Sequence, residues 1–561
     1  MINKDWYVAD FEATGEKYYR EHGCTKVWLY AICDSNAKIV THGSSIVEFM
    51  SYIKKLSGSL LYFHNLRYDG NFIIDYLLNS GYKYNDNLKV HDDNGFSTLI
   101  GDMGQFYSIK INFCKSKQIT IEDSMKLLPF SVDKIAKDFK LPILKEHIDY
   151  NDYTIDDRRI EYVSHDCQIV AMALKILKGQ NLNRMTAASC AYSRFTSIFD
   201  KDYLSKALPD LGKDFLISWR EAYRGGRSQV NPRYADKELH NVYRYDINSM
   251  YPWVMHDCLL PYGIPIKCDK PNTYKFELYD ISVGFRLKKN HLPSLLKKGS
   301  FYKLDGTYYI DSDGIINIKI SNIDLLLLKR NYDIYYLKYN IIYGFLTTKI
   351  LFKEYVDYYY NKKMTSTGAL RAIYKLMLNS LYGKFGSNCV GSHKIPYLKD
   401  EVVSFTNSEE EDMKHYYLPL AIAITSYAHL KLDDGVQVAG IKNFVYCDTD
   451  SVHSLIKFPD NMIDKTKLGY YKCEALEERS KYVRQKCYIT QSKDDITNDN
   501  PKGINITCAG MPQALKQLVI DKYGDRVFDE FKKGLQVSGK LMPKHVKGGI
   551  ILCETTFEIK E

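Results

Sequence analysis

The sequence predicts a multidomain protein of α/β and α+β character, and three observations lead there. Its 561 residues correspond to roughly three to five domains of ordinary size. Residues 1–180 combine short apolar runs with helical apolar spacing, the pattern of an α/β unit. Residues 258–352 are rich in β-formers and turn signals, which points to antiparallel sheet.

Taken in order, residues 6–10 and 60–64 read as short buried strands, each ending at a polar cluster. Residues 159–178 (RIEYVSHDCQIVAMALKILK) have helical apolar spacing. NVYRYD at 241–246 is a strand that runs into a helical turn. Residues 353–384 read as one strong helical stretch ending at Gly383. KNFVYCDTDSVHSLI at 442–456 alternates like a hairpin with Asp-Thr-Asp near its tip, and the last fifty residues are Lys-rich and Gly-punctuated. No Gly/Ser or Pro-rich linker, internal repeat or low-complexity tract occurs, so the domains are expected to pack closely.

Composition narrows the class. Hydrophobic residues at 45% and charged residues at 26% exclude disorder and collagen-like repeats. A formal net charge of +9 is compatible with a polyanionic partner without requiring one. The 48 Tyr suit base stacking, but an AT-rich coding bias explains them equally well, so nothing rests on that count. Thirteen Cys without a CxxC pair read as free thiols in a reducing compartment. The start, MINKDWYVADFEATGE, has no apolar signal-peptide core, and no run of 18 apolar residues occurs. The expectation is a soluble cytoplasmic protein, in a host cell if viral.

Acidic residues recur in spaced sets. Asp10 and Glu12 sit two apart on a strand and leave it from one face. Asp69 flanks a strand-to-helix entry with Asn65, and Asp166 shares a helix face with Tyr162 four residues before it. Three Asp and one Glu can hold two divalent cations that activate water against a phosphodiester. The absence of His or Cys ligands suits Mg²⁺. A second set comprises Asp246 at a strand end and Asp448 and Asp450 at a hairpin, where an Asx turn is the plainer explanation. In KLMLNSLYG, Lys375, Asn379 and Tyr382 fall on one helical stripe: an ammonium for a triphosphate, an amide, and a ring for a base. An exposed polar helix face is the bland alternative.

At these residues the sequence resembles the family B DNA polymerases, specifically the protein-primed subgroup of small tailed phages with linear genomes. DFE at 10–12, NLRYD at 65–69 and YVSHD at 162–166 resemble the three motifs of a 3′→5′ proofreading exonuclease. DINSMYP at 246–252, KLMLNSLYG at 375–383 and YCDTDS at 446–451 resemble polymerase motifs A, B and C. KCY at 486–488 resembles the primer-handling K-x-Y, and YRGG at 223–226 the Y-x-G-G element between the two activities. The motifs occur in the family's order over essentially the whole chain.

The resemblance implies an RNase H-like exonuclease domain (1–187) and a right-hand polymerase. The palm would comprise 188–257 and 417–508, the fingers 352–386 and the thumb 509–561. Terminal-protein region insertions would lie at 258–351 and 387–416, the second aiding processivity and strand displacement. Asp10, Glu12, Asp69 and Asp166 would hold the exonuclease metals, while Tyr162 and Lys145 orient water and phosphate. His64, Asn65, Phe72, Ser124 and Tyr150 would hold the single-stranded primer end. Asp246 and Asp450 would be polymerase metal ligands, with Asp448 close by. Tyr251 and Tyr382 would form the nucleotide pocket, Tyr251 excluding a ribose 2′-hydroxyl. Lys363, Lys375, Asn379 and Lys384 would contact triphosphate or template. Tyr223, Gly225, Gly226, Ser249 and Thr425 would contact DNA, and Lys486 and Tyr488 the primer terminus. Two Mg²⁺ per active site are implied, with Mn²⁺ as a substitute. Implied partners are primer–template and single-stranded DNA, dNTPs and a terminal protein; the enzyme is expected to be a monomer, away from membranes.

Three departures stand out: Ala13 in place of a hydroxyl residue, Met125 in place of Leu, and His429 in place of an Arg that contacts DNA. The priming expectation rests on the first exonuclease acid lying at residue 10 and on the 128 residues between Asp246 and Lys375. A nucleic-acid-primed family B polymerase, a stand-alone exonuclease and a DNA-binding scaffold are the competing readings.

Overall fold

The structure is a computed structural model describing residues 5–86, 92–114, 117–146, 148–149, 152–297, 307–498 and 500–560. The N-terminal unit is built on an eight-stranded mixed sheet. Strand Trp6–Ala13 lies in its middle, antiparallel to Val27–Asp34 and parallel to Leu60–Phe63, which in turn runs parallel to Lys117–Asp123. Parallel neighbours require a crossover, and helix Leu66–Asn79 follows Leu60–Phe63 directly. Side-chain alternation divides the sheet. Ala9 and Phe11 face a core with Phe49, Phe63 and Ile73, whereas Val8 faces Val163 and Val170 of helix Asp157–Gly179. Asp10 and Glu12 continue the Val8 face, so the pleat itself aims both acids toward that helix.

The second centre is a five-stranded antiparallel sheet in which Val242–Ile247 lies between Tyr471–Glu477 and Ser451–Ser454. Phe444–Asp448 and Ser228–Val230 complete it. Beside it, Glu238–Leu239, Arg479–Arg484, Cys487–Gln491 and Ile504–Cys508 form a four-stranded sheet. Residues 258–351 contribute a separate four-stranded sheet whose long strand Tyr332–Thr348 pairs with Leu260–Lys267 and Phe276–Leu287.

Two sequence expectations need correction. The stretch 353–384 is two helices, Lys353–Thr365 and Gly368–Phe385, because the chain extends at Ser366 and Thr367 and Gly368 takes a left-handed φ of 55°. Within the β-rich region, Asn322–Asn331 is helical, started by the Ser321 hydroxyl accepting from Asp324 N–H. Its LLLL run carries no periodicity by which a strand and a buried helix could be told apart.

One apolar core runs unbroken from the helix Asp157–Gly179 through Phe195, Phe352 and Leu381 to Leu420 and Phe444, in keeping with the lack of linkers. The C-terminal hairpin Gln536–Val546/Gly549–Glu558 reaches back across the molecule. Thr25 N–H donates to Lys547 O (2.9 Å), Ile550 joins the N-terminal core, and Lys547 pairs with Glu401 (2.9 Å). Among the described residues no helix is long and apolar enough to cross a membrane, and all thirteen cysteines are free.

Candidate active sites

The first site lies where strand Trp6–Ala13 meets the helices Leu66–Asn79 and Asp157–Gly179. Burial, then the charges of Asp69, Asp166 and Glu12, hold the Asp10 carboxyl well above the usual carboxylate range. Asp69 is raised in the same way, and Glu12 is pushed up to about 7 by burial and then by Asp166. The sequence-predicted acids therefore share one field. Lys145 pairs with Asp166 and lies 5.0 Å over the ring of Tyr162, which is itself buried. Asp166 Oδ1 is buried without a hydrogen-bond partner among the described residues. Crowded acids that resist ionising, with an oxygen left unsatisfied, fit a divalent cation.

Around this cluster the expectations divide. Asn65 is exposed and adopts a left-handed φ of 73°, with its N–H held by Asp123 Oδ1 (3.1 Å). His64 bonds Ser124 Oγ (2.9 Å) and donates Nε2–H to the Phe130 carbonyl (2.7 Å). Ser124 is fully buried and braces His64. Phe72 is 2% exposed in the N-terminal core, with Gly549 of the C-terminal hairpin packed against its ring. Tyr68 is the half-buried ring beside Asp69, Glu12 and Asp10, and their charges add to burial in raising its hydroxyl. Sequence reading missed Tyr68, although it directly precedes Asp69 in NLRYD. Tyr150 lies outside the described residues.

At the second site, Asp246 and Asp448 both pair across the sheet with Ser451. Asp450 follows the turn: its N–H donates to Asp448 O (2.7 Å), and its own carbonyl accepts from Ile247 N–H (2.8 Å). The turn demands Thr449 at φ 57°. It is held by Thr449 N–H to Arg227 O (2.7 Å) and by Gly226, where a Cβ would meet Thr449 Oγ1 at 2.8 Å. Arg227 is anchored through a fully buried pair with Asp433 (2.8 Å). Burial, then Asp450 and Glu474, push Asp246 up to about 7; Asp450 is raised chiefly by burial. Glu474 went unnoticed because nothing in its own segment marks it; only pairing of Tyr471–Glu477 with Val242–Ile247 brings it close.

Cations face these acids. Lys363 donates to Ser249 Oγ (2.9 Å), and burial, then Arg371 and Lys375, lower it to about 8. Arg371 joins the sequence-predicted set. Lys375 and Asn379 are exposed on the helix Gly368–Phe385, and Tyr382 stacks on Tyr251 at 4.0 Å between ring centres. Lys384 lies elsewhere, 3.3 Å from Ser189 Oγ and 5.1 Å over Tyr416, in a groove of about 1240 Å³ that also presents Lys126, Arg184 and Lys414. It belongs with that groove and not with the cations that face Asp246 and Asp450. Lys486 Nζ reaches Asp448 Oδ1 (3.3 Å), while Tyr446 OH takes Lys486 N–H (3.2 Å) and lies 3.3 Å from Asp448 Oδ2. The ring of Tyr488 is 5.0 Å from that of Tyr446.

Thr425 does not reach a groove: it is 3% exposed and its hydroxyl bonds back to Ala421 O (3.0 Å) within its helix. His429 is also buried, donating Nε2–H to Gly225 O (2.6 Å) and facing Asp324 with Nδ1 (3.6 Å). This imidazole fixes the loop that carries Gly225. Tyr223 packs over Gly386 in the same region, where a Cβ would meet its ring at 2.6 Å.

The family described as DNA polymerase type B, organellar and viral, matches residues 52–153 and 148–467. The DNA polymerase of Bacillus phage phi29 is 38% identical over 593 aligned residues covering 99% of each chain. That of Streptococcus phage Cp-1 is 30% identical with the same coverage. The phi29 enzyme solved with primer–template DNA and incoming nucleotide superposes with a TM-score of 0.90 at 35% identity, covering 99% of this chain and 100% of that one. Geometry, sequence and fold agree: the chain belongs to the DNA polymerases of type B, organellar and viral.

Proposed function

We propose that this DNA-directed DNA polymerase replicates a linear genome from a terminal protein, proofreads 3′→5′ and displaces the strand ahead of it. The observation that carries two activities is the pair of separate acidic sites on separate sheets, Asp10/Glu12/Asp69/Asp166 and Asp246/Asp448/Asp450. Residues 1–187 are assigned to degradation. Palm (188–257, 417–508), fingers (352–386) and thumb (509–561) are assigned to synthesis.

Mg²⁺, two per site with Mn²⁺ able to substitute, would be held by these acids and would polarise phosphate and neutralise developing charge. The chain's own groups do the rest. Lys363, Arg371 and Lys375 bind the triphosphate, and their mutual repulsion falls when that anion arrives. The stacked Tyr251–Tyr382 pair forms a flat wall for base and sugar, Tyr251 barring a 2′-hydroxyl. Lys486 and Tyr488 steady the primer terminus beside Asp448. In the first site Lys145 holds the scissile phosphate near Asp166.

Strand displacement is supported by the groove of about 1240 Å³, bounded by the N-terminal unit, the fingers helix and residues 387–416. Its lysines and the rings of Tyr107 and Tyr416 suit a single strand. Protein priming is supported by the whole-length kinship with phage DNA polymerases and by the folded insertion at 258–351. The phi29 enzyme has been solved with single-stranded DNA, with primer–template and with nucleotides; the same ligands are proposed here, on a monomer.

The test incubates the enzyme with labelled dNTPs and candidate terminal proteins expressed from the same genome. A covalent protein–nucleotide product, extended to full length on a linear template, is expected. Normal extension of an oligonucleotide primer with no such product would establish the nucleic-acid-primed alternative.

A further inference from the structure

Cys487 and Cys508 face each other on neighbouring antiparallel strands, Cys487–Gln491 and Ile504–Cys508. Lys486 O accepts from Ala509 N–H (2.8 Å), which makes 486/509 a hydrogen-bonded pair. The alternation of the ladder then puts Cys487 and Cys508 at a non-hydrogen-bonded position, where Cα atoms approach to about 4.5 Å and side chains come closest. That separation lies just inside the range a disulfide spans, about 4.4–6.8 Å. The two sulfurs are already 3.5 Å apart.

Their surroundings are asymmetric. The hydrogen bond with Cys487, then Arg484, Lys516 and Lys540, draw the Cys508 thiol below its ordinary range against the opposing effect of burial, while that bond and burial push Cys487 above its own. Three basic side chains near Cys508 favour its thiolate, and the Cys487 sulfur lies 3.5 Å away in the same buried strand pair, the arrangement of an attacking and a resolving thiol.

We infer that Cys487 and Cys508 form an oxidation site, closed to a disulfide by hydrogen peroxide, which restrains the primer-handling hairpin. The Cys508 thiolate attacks one peroxide oxygen; the O–O bond breaks and hydroxide leaves, protonated to water. Cys487 sulfur then attacks the resulting sulfenic sulfur; the S–O bond breaks and the second water carries off the Cys487 proton. Two thiols and one peroxide give one disulfide and two waters.

Closing the sulfurs from 3.5 Å to about 2.05 Å at a strand separation near the short limit for a disulfide, whose usual span is about 5.5–6 Å, presses the strands apart at the end where Lys486 turns. Lys486 reaches Asp448 over 3.3 Å, so the movement is delivered to the polymerase site. Misplacement by about 1 Å can cost up to about a hundredfold in rate. This functional half rests on the reading of Lys486 and Tyr488 as primer-handling residues.

The full-length enzyme is treated with hydrogen peroxide, excess peroxide is removed, and peptides are mapped without reduction. Primer extension and degradation of single-stranded DNA are measured on the same sample. Expected are a cross-linked peptide pair joining Cys487 to Cys508, a fall in extension of about tenfold or more, and unchanged degradation. Dithiothreitol should restore extension, and Cys508→Ser should extend normally before and after peroxide. Lys486→Ala, assayed reduced, separates the two claims: if it extends normally the primer-handling reading fails, whatever the thiols do. Oxidation confined to exposed Cys473, or a cross-link without loss of extension, overturns the proposal.

Discussion

Asp246→Asn should remove synthesis yet stabilise the cation-free protein, and only at neutral to alkaline pH. In the fold Asp246 titrates at about 7 against an ordinary 3.8, mainly because it is buried and faces Asp450 and Glu474. A carboxyl raised in this way favours the folded state fully below pH 3.8. That contribution is lost as pH rises to about 7, because the unfolded chain has ionised and the fold resists doing so. The loss grows by about 1.4 kcal/mol per pH unit over this window, to a ceiling near 4 kcal/mol. Allowing for water on the open side of the site, about 2 kcal/mol is a reasonable expectation at pH 8. Asn keeps the shape and removes the charge. For a cooperative unit of 150–250 residues this gain corresponds to roughly 4–8 °C in Tm. The assay is thermal unfolding in EDTA at pH 5 and pH 8, with wild type alongside. Stabilisation at pH 8 that shrinks toward pH 5 is expected. An equal shift at both pH values, or destabilisation at pH 8, would refute the electrostatic account.

Other outcomes follow from the same geometry. Asp450→Ala should abolish primer extension and leave degradation intact, and Asp10→Ala should do the reverse; loss of both activities in a folded variant of either kind contradicts the two-site assignment. Gly226→Ala should lower extension about tenfold or more, because its Cβ meets Thr449 Oγ1 at 2.8 Å and displaces the turn that carries Asp448 and Asp450; degradation of single-stranded DNA serves as the internal control. The divalent-cation concentration needed for half-maximal activity should fall as pH rises toward 7 and level off above, since Asp246 and Glu12 both titrate near 7; a flat profile from pH 6 to 8 is the contrary result.

The sequence by itself determined the acids and their local geometry. Two carboxylates two apart on a strand must share a face, although only the packing of Val8 with Val163 and Val170 showed which face that is. The stripe Lys375, Asn379, Tyr382 was readable for the same reason, since a helix repeats every 3.6 residues. Periodicity reports only what neighbours along the chain do. It could not show that Phe72 is sealed beneath Gly549 while Tyr68 faces the carboxylates, because that covering hairpin lies far along the chain. Nor could it place Lys384 in a different groove from Lys375 on the same helix, or bring Glu474 and Arg371 to the polymerase acids. His429 looked like a lost DNA contact and became a brace for Gly225 only when its helix packed against the loop. Cys487 and Cys508 likewise became a pair through strand register. Long-range pairing, packing and burial decide these matters, because they fix which surfaces meet and which charges lose their water.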